Sequence, residues 1–240
     1  MLYQSVSDNI YHMSDINLQL NYEDMLKAGM HFGRKKTVFN SKMKKYVFTV
    51  KEGICIIDLL RTQAELDIAV DFLKKTIEKG GLVLFVALTK QSVDSVKDLA
   101  ESLGMPYVVD RWLGGTLTNF KVISGRVRAL EEMEKKLKTG ELEKYTKKER
   151  LMYERELKKM DTHFGGIRKL TRIPDVIFVS SLKESALPVR EAKITGVKIV
   201  AVANIDANPD DATYVIPAND RSKKSLDLIV GAIKKELTTK

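Results

Sequence analysis

The chain has 240 residues, 44% of them hydrophobic, which is enough to build a core and excludes wholesale disorder. Lysine and arginine outnumber aspartate and glutamate by 41 to 32, a net charge of +9 that favours a polyanionic partner only weakly. No apolar run approaches the roughly 20 residues that span a bilayer, and the single cysteine, Cys55, excludes a disulfide framework, so we expect a reducing, cytoplasmic compartment and no membrane partner.

The first fifty residues predict three short elements. Residues 1–20 lack clear periodicity and are expected to form an irregular arm. Asn21 can cap a short helix that ends near Gly29. Residues 36–50 carry strand-forming side chains on both sides of a polar turn at 40–41, which predicts a small basic β-hairpin.

From residue 54 onward, short apolar runs alternate with helical patterns. The first helix is predicted to open with a capping box formed by Thr62 and Glu65. The predicted strands cover 54–57, 82–88, 107–109, 176–180, 197–202 and 214–216, and the predicted helices cover 62–78, 92–103, a stretch ending near 195 and one starting at 222. Continuous apolar strands between helices indicate a parallel sheet covered on both faces. We therefore predict an α/β doubly wound domain built from residues 21–120 and 166–240.

Residues 121–165 do not fit that alternation. Apolar residues from Ile123 onward recur at spacings of three and four, and a second stripe of the same kind ends at Phe164 after a capping box that Thr146 opens. Two stripes joined by a short loop predict an inserted antiparallel helical hairpin with a narrow coiled-coil seam. Both helices could instead lie on the sheet as ordinary crossovers, but their strongly charged outer faces favour a projecting hairpin.

The positive charge is concentrated in two segments. Eight basic and no acidic residues lie between Lys27 and Lys51, and sixteen basic and nine acidic residues lie between Lys121 and Arg172. Together these segments carry +15, which leaves −6 for the rest of a chain whose net charge is +9. A mildly acidic body with two basic regions indicates a polyanion such as RNA as partner.

Motifs for catalysis are missing. The chain has no glycine-rich dinucleotide motif, no phosphate-binding P-loop and no nucleophile elbow, and its three histidines are not spaced as metal ligands. Asp206, Asp210 and Asp211 follow a predicted strand end, where α/β active sites lie, but their turn-forming neighbours favour an ordinary turn over catalytic carboxylates. We predict no catalytic residue, metal or cofactor.

One segment, residues 110–121, does suggest a function. It holds the only tryptophan, Trp112, beside Arg111 and two glycines that allow close backbone approach to a partner. Arginine and tryptophan can stack on bases or contact phosphate, and Asn119 adds a short hydrogen-bonding group. The alternative is that Trp112 plugs the base of the helical hairpin while the glycines only turn the chain.

The same segment, RWLGGTLTNF at 111–120, resembles the signature of the small-subunit ribosomal protein two family in its bacterial type. Matching motifs lie at 28–33, 40–43, 53–59, 104–108, 165–167, 173–175 and 214–220, so the resemblance covers about residues 22–235. The resemblance implies a flavodoxin-like parallel sheet with an inserted coiled-coil hairpin and no catalytic role. It also implies docking on small-subunit rRNA at the back of the neck, between head and body, and recruitment of the mRNA-binding ribosomal protein one.

The chain departs from the family pattern at several positions. Arg34 stands where the family usually has histidine, and Phe39 and Ser41 replace its tryptophan and proline. Ser181 replaces a common aspartate, and residues 204–209 read NIDANP instead of DTNCDP. These last two changes remove carboxylates at the ends of sheet strands, which makes a metal site there a poor expectation.

We hypothesise that the protein recognises RNA shape and phosphate through two basic surfaces on a rigid body. The candidate rRNA-binding residues are Arg34, Lys35, Lys36, Lys42, Lys44 and Lys45 in the first basic region, and Arg111, Trp112, Asn119, Lys121, Arg126, Arg128, Arg168, Lys169 and Arg172 around the feet of the helical hairpin. Small-subunit rRNA and neighbouring ribosomal proteins, including protein one, are the expected partners, with no small-molecule substrate. Two other interpretations remain: a nucleotide- or sugar-phosphate-binding α/β enzyme with residues 114–119 as phosphate loop, and a free protein-interaction scaffold.

Overall fold

The computed structural model describes residue 18 and residues 20–139 and 145–238. The irregular arm predicted for residues 1–20 therefore lies outside the described residues, apart from Leu18 and Leu20. Leu18 is buried, and its backbone N–H donates to the Asp67 carboxylate at 3.0 Å. Leu18 is thus held against the start of the α/β body.

Strands and helices alternate along most of the described chain. The strands are β1 (Phe32–Lys35), β2 (Val47–Lys51), β3 (Ile54–Ile57), β4 (Val83–Val86), β5 (Tyr107–Val108), β6 (Val176–Val179), β7 (Lys198–Ala203) and β8 (Tyr214–Pro217). The α-helices are α1 (Tyr22–Lys27), α2 (Leu59–Glu78), α3 (Val93–Leu103), α4 (Phe120–Lys138), α5 (Lys147–Phe164), α6 (Ala186–Thr195) and α7 (Lys223–Thr238). No helix within these described residues is long and apolar enough to cross a membrane.

The last five strands form one parallel sheet in the order β5-β4-β6-β7-β8, the flavodoxin-like order. Alternate residues of its strands belong to two separate cores: Leu84 and Ile177 pack on one face, and Phe85 and Phe178 on the other. Both faces are therefore covered, as continuous apolar strands require. The predicted α/β fold with a parallel sheet is confirmed.

Two predictions for residues 36–57 are wrong. The run at 54–57 is predicted to join the parallel sheet, but β3 lies in a separate antiparallel sheet, the small sheet, of order β1-β3-β2. Glu52 and Gly53 both have positive φ, which closes a two-residue hairpin between β2 and β3. The predicted hairpin at 36–50 is displaced accordingly, since Lys36–Val38 and Ser41–Tyr46 are 3₁₀ turns.

The predicted capping box at the start of α2 is also wrong. The helix begins at Leu59, and the side chain of Asp58 caps it by accepting from the N–H of Leu60 at 3.0 Å. Thr62 lies inside the helix, where its hydroxyl donates to the carbonyl oxygen of Pro217 at 2.6 Å. Glu65 accepts instead from the hydroxyl of Tyr46 at 3.0 Å. Both side chains therefore bind elements distant in the chain and do not cap their own helix.

The helices α4 and α5 contact each other, with the Tyr153 hydroxyl donating to the carbonyl oxygen of Met133 at 3.2 Å. One face of α4 is buried, whereas no described residue of α5 is. The predicted capping box of α5 is confirmed: Thr146 accepts from the N–H of Glu149, whose carboxylate accepts from the N–H of Thr146 at 2.8 Å.

Thr146→Ala is expected to lower the free energy of unfolding by about 1 kcal/mol, because α5 has few packing contacts to replace a lost cap. Urea denaturation followed by circular dichroism measures the change. Thr139→Ala, an exposed threonine at the other end of the predicted loop, is the control and is expected to have a smaller effect. An equal loss in both variants would contradict the role of the cap.

Candidate nucleic-acid interface

A single buried carboxylate shapes the segment at 110–119. Glu191 on α6 is 4% exposed and accepts hydrogen bonds from Trp112 Nε1 at 3.0 Å and from the backbone N–H groups of Gly115 at 2.8 Å and Leu117 at 3.0 Å. The backbone N–H and hydroxyl of Thr118 add two longer bonds of 3.3 Å. Gly115 has a φ of +90°, a conformation that favours glycine. The loop is therefore wrapped around the carboxylate.

The surroundings of Glu191 hold it in its charged form. Burial alone would raise the pKa of this carboxyl, but the donors on Trp112, Leu117, Gly115 and Thr118 outweigh burial and bring the pKa below its usual value. The sequence reasoning missed this residue because no local motif marks it. The available signal was a charged residue on the face of α6 that also buries Val189 and Ala192.

Trp112 is 5% exposed, so its ring plugs the core beneath α4 and is not presented at the surface. The structure thus favours the second of the two interpretations that the sequence allows for this residue. Arg111, Thr118 and Asn119 are exposed on the outer side of the same segment. The loop turns one aromatic ring inward and short polar and basic groups outward.

The two feet of the helix pair meet in space. His163 Nδ1 near the end of α5 lies 3.1 Å from Asp110 Oδ2, at the start of the segment that leads into α4. Arg168, after α5, donates to Glu134 on α4 at 2.8 and 2.5 Å and to Asp161 on α5 at 2.5 Å. Its hydrogen bonds hold the pKa of Glu134 below the usual value. Arg168 therefore ties the two helices together.

Arg172 and Arg34 are likewise engaged within the protein. Arg172 lies 2.8 Å from Asp175 and also donates to the carbonyl oxygen of Gly80 at 3.3 Å. The mostly buried guanidinium of Arg34 lies 3.1 Å from Asp220 and 3.5 Å from Asp206. The contacts of Arg34 link the small sheet to the carboxyl ends of β7 and β8.

The strand ends around Arg34 carry few metal ligands. Asp220 also accepts from the Ser181 hydroxyl at 2.7 Å and from the Asn204 amide at 3.2 Å. Among the described residues, no group of three or more histidine, cysteine, aspartate or glutamate side chains could hold a metal ion. A guanidinium and two neutral side chains thus surround the Asp220 carboxylate.

The aspartates that follow β7 form a turn. Asn208 caps the 3₁₀ turn Pro209–Asp211 by accepting from the N–H of Asp210. The Asp210 carboxylate pairs with Lys42, which holds its pKa below the usual value, and Asp211 pairs with Lys193 at 2.5 Å. Each carboxylate has a lysine partner, which agrees with the turn interpretation.

The other predicted cations are exposed, and none of them forms an ion pair with another described residue. We call one set the sheet lysines: Lys35, Lys36, Lys44 and Lys45, on and beside the small sheet. We call the other set the foot cations: Arg111, Lys121, Arg126, Arg128 and Lys169, around the start of α4 and just after α5. Their charge is available to an external partner.

Comparison with known proteins identifies the family. A family model described as ribosomal protein S2 matches residues 25–239. The chain belongs to the ribosomal protein S2 family. Its members include the small ribosomal subunit protein uS2 of Thermus thermophilus, 41% identical over 89% of this chain and 83% of that protein. The proteins of the same name from Fusobacterium nucleatum (41% identical, covering 89% of this chain and 87% of that protein) and Bifidobacterium animalis (42%, covering 88% and 70%) are similar.

Membership in the ribosomal protein S2 family confirms the resemblance found in the sequence. These relatives are ribosomal proteins and the family is not one of enzymes, so the chain is not expected to catalyse a reaction. The family also places the protein on the ribosome, in the cytoplasm for bacteria.

Proposed function

We propose that this protein is a structural constituent of the small ribosomal subunit that binds rRNA at the back of the neck, between head and body. The observation that carries the proposal is that the sheet lysines and the foot cations are exposed and form no ion pair with another described residue. Exposed lysine and arginine side chains neutralise phosphates and release counterions, and this release is a main source of the affinity of proteins for nucleic acids. Family membership supplies the small subunit as the setting.

The remaining candidates take a different role in this proposal. Arg34, Arg168 and Arg172 are bound to carboxylates of the protein, and Trp112 is buried against Glu191. They shape the surfaces that carry the exposed cations. Lys42 shares a property with each group of candidates: its side chain is exposed, but it is paired with Asp210. Asn119 is exposed at the N-terminal cap of α4, where its side chain makes no cap bond, so it stays among the proposed contacts.

We also propose that α4 and α5 form a projecting coiled-coil hairpin. Their mutual contact, the tie through Arg168 and the lack of buried residues on α5 support this geometry. A projecting arm would place the foot cations where the arm meets the body. Recruitment of the mRNA-binding ribosomal protein one is a further part of the proposal, and it rests on the sequence resemblance.

Reversing two foot cations tests the rRNA surface. The double variant Arg126→Glu/Arg128→Glu is expected to bind protein-free small-subunit rRNA roughly 10- to 100-fold more weakly, because repulsion replaces the attraction of two phosphates. The slope of log K against log salt should become shallower by roughly 0.7–0.9 for each phosphate that is no longer neutralised. Filter binding at several salt concentrations measures both quantities.

The matched control is Lys158→Glu/Lys159→Glu, which makes the same change of charge at two exposed positions of α5. This control is expected to bind rRNA nearly as the unmodified protein does. Equal losses in the two double variants would exclude the feet as the contact. Sucrose-gradient sedimentation of a native lysate tests the wider proposal, which fails if the protein is found only in the soluble top fraction.

A further inference from the structure

Much of the outer face of the small sheet is exposed among the residues that the structure describes. Antiparallel pairing sets Ile56 of β3 opposite Phe32 on one side and Thr49 on the other. Cross-strand partners point to the same side of a sheet, so these three side chains share the outer face. Phe32 is 48% exposed. This row gives the sheet an exposed apolar strip.

A second row on the same face is basic. Ile54 of β3 pairs with Lys35 on β1 and Lys51 on β2, and all three side chains are exposed. Ile54 and Ile56 are two residues apart, about 7 Å along the strand. Two lysines thus lie directly beside the apolar strip, and the one acidic residue next to this row is Glu52 in the turn between Lys51 and Ile54.

The strip continues into a groove of about 340 Å³ between α1, the small sheet and the start of α2. Its lining includes three rings, those of Tyr22, His31 and Phe48, together with the aliphatic side chains of Ile56 and Leu60. Phe48 is 74% exposed, the largest value among the large hydrophobic residues described. An aromatic ring so far out of the core suggests a surface for stacking.

The charge around the groove indicates which class of ligand the groove binds. The one carboxylate in the lining, Asp58, is already engaged by the N–H of Leu60 at 3.0 Å and by Arg61 at 3.6 Å. Exposed cations beside exposed aromatic rings are the combination with which proteins hold unpaired nucleotides: the rings stack on the base and the lysines contact the phosphate. A segment of another protein would use the apolar lining but would have no need of the lysine row.

We propose that this face holds an unpaired nucleotide of RNA, with the base stacked on Phe48 in the groove and the adjoining phosphate on Lys35 and Lys51. The inference rests on the proposed rRNA-binding function and adds a site for a single-stranded element to it. Phosphate contacts to the sheet lysines alone would not fix the position of the RNA on the protein. A splayed base bound in the groove would fix it.

The test compares three replacements of Phe48 in binding to protein-free small-subunit rRNA. Phe48→Ala should weaken binding between roughly fivefold and 100-fold, the range found for the loss of one stacked base. Phe48→Leu should show a similar loss, because leucine is apolar but has no ring, whereas Phe48→Tyr should bind as the unmodified protein. None of the three should change the salt slope, while Lys35→Ala/Lys51→Ala should make it shallower.

Ile194→Ala is the matched control, because Ile194 is 70% exposed and lies on α6, away from the small sheet. Identical urea midpoints for all variants show that folding is unaffected, as expected for side chains so exposed. Full binding by Phe48→Leu overturns the stacked base, because an apolar side chain without a ring would then be enough for the contact. Equal binding by Phe48→Ala and Ile194→Ala overturns the site while the proposed function stands, whereas failure of the unmodified protein to bind rRNA overturns the proposed function itself.

Discussion

Replacing Glu191 with alanine is expected to lower the free energy of unfolding by about 3–5 kcal/mol, the range for removing one partner of a buried charged network. The change leaves Trp112 Nε1 and the backbone N–H groups of Gly115 and Leu117 without an acceptor in a mostly buried site. Each unsatisfied donor costs about 1–3 kcal/mol. Urea denaturation measures the loss.

The same variant should lose rRNA binding, because the loop around Glu191 carries Arg111 and leads into α4 with its foot cations. The stability and rRNA affinity of Glu191→Gln are expected to lie between those of the unmodified protein and Glu191→Ala. Its amide keeps one oxygen as acceptor but turns an N–H group toward other donors. Glu184→Ala is the control. It removes an exposed carboxylate just before α6 that lies 3.9 Å from Arg221, and it should leave stability almost unchanged. A stability loss in Glu191→Ala no greater than in Glu184→Ala would contradict the structural role of the carboxylate.

The acid sensitivity of the protein provides a second measurement on Glu191. Its pKa in the folded state lies below the usual 4.5, so the folded protein favours the charged form. That contribution is complete above about pH 4.5 and is lost as the pH falls through the lowered folded pKa. The unmodified protein should therefore destabilise more steeply on acidification than Glu191→Gln does. Parallel curves for the two proteins would contradict this assignment.

The parallel sheet was predictable because its signal is local and redundant. Runs such as 83–86 and 176–179 are apolar at every position, and only a strand covered on both faces needs that pattern. The run at 54–57 looks much the same, and its sheet could not be assigned from the run itself. What decides its place is the tight turn at Glu52 and Gly53, a feature of backbone geometry that the sequence signals only weakly.

The candidate interface was predictable in charge but not in geometry. Counting basic residues locates the two regions, and the sheet lysines and foot cations in them are exposed in the structure. The count cannot show that Arg168 is bound by Glu134 and Asp161, because that contact depends on how α4 and α5 pack. Arg34 is similar: its partner Asp220 is 186 residues away in the chain. Only such long-range ion pairs distinguish the cations with a structural role from those that are exposed.

Gly166→Ala is expected to lower the free energy of unfolding by about 1–3 kcal/mol and to weaken rRNA binding. A β-carbon at Gly166 would overlap the carbonyl oxygen of Tyr107 and stand 2.7 Å from Cδ2 of its ring. Tyr107 cannot retreat easily, because β5 is paired with β4 in the parallel sheet. The chain just after α5 must then move away from the sheet, and Lys169 moves with it. Urea denaturation and filter binding to small-subunit rRNA measure the two effects.

Gly125→Ala is the control for the same chemical change in the same region. Gly125 lies within α4, where a β-carbon would meet no other atom within 4 Å. Alanine favours the helix over glycine, so this variant should gain about 0.5–1 kcal/mol and retain its rRNA affinity. Opposite signs for the two variants are expected because one glycine permits a close approach between α5 and the sheet while the other only weakens a helix. A stability gain in Gly166→Ala would show that the foot of α5 is free to move, and the rigid placement of the foot cations would have to be abandoned.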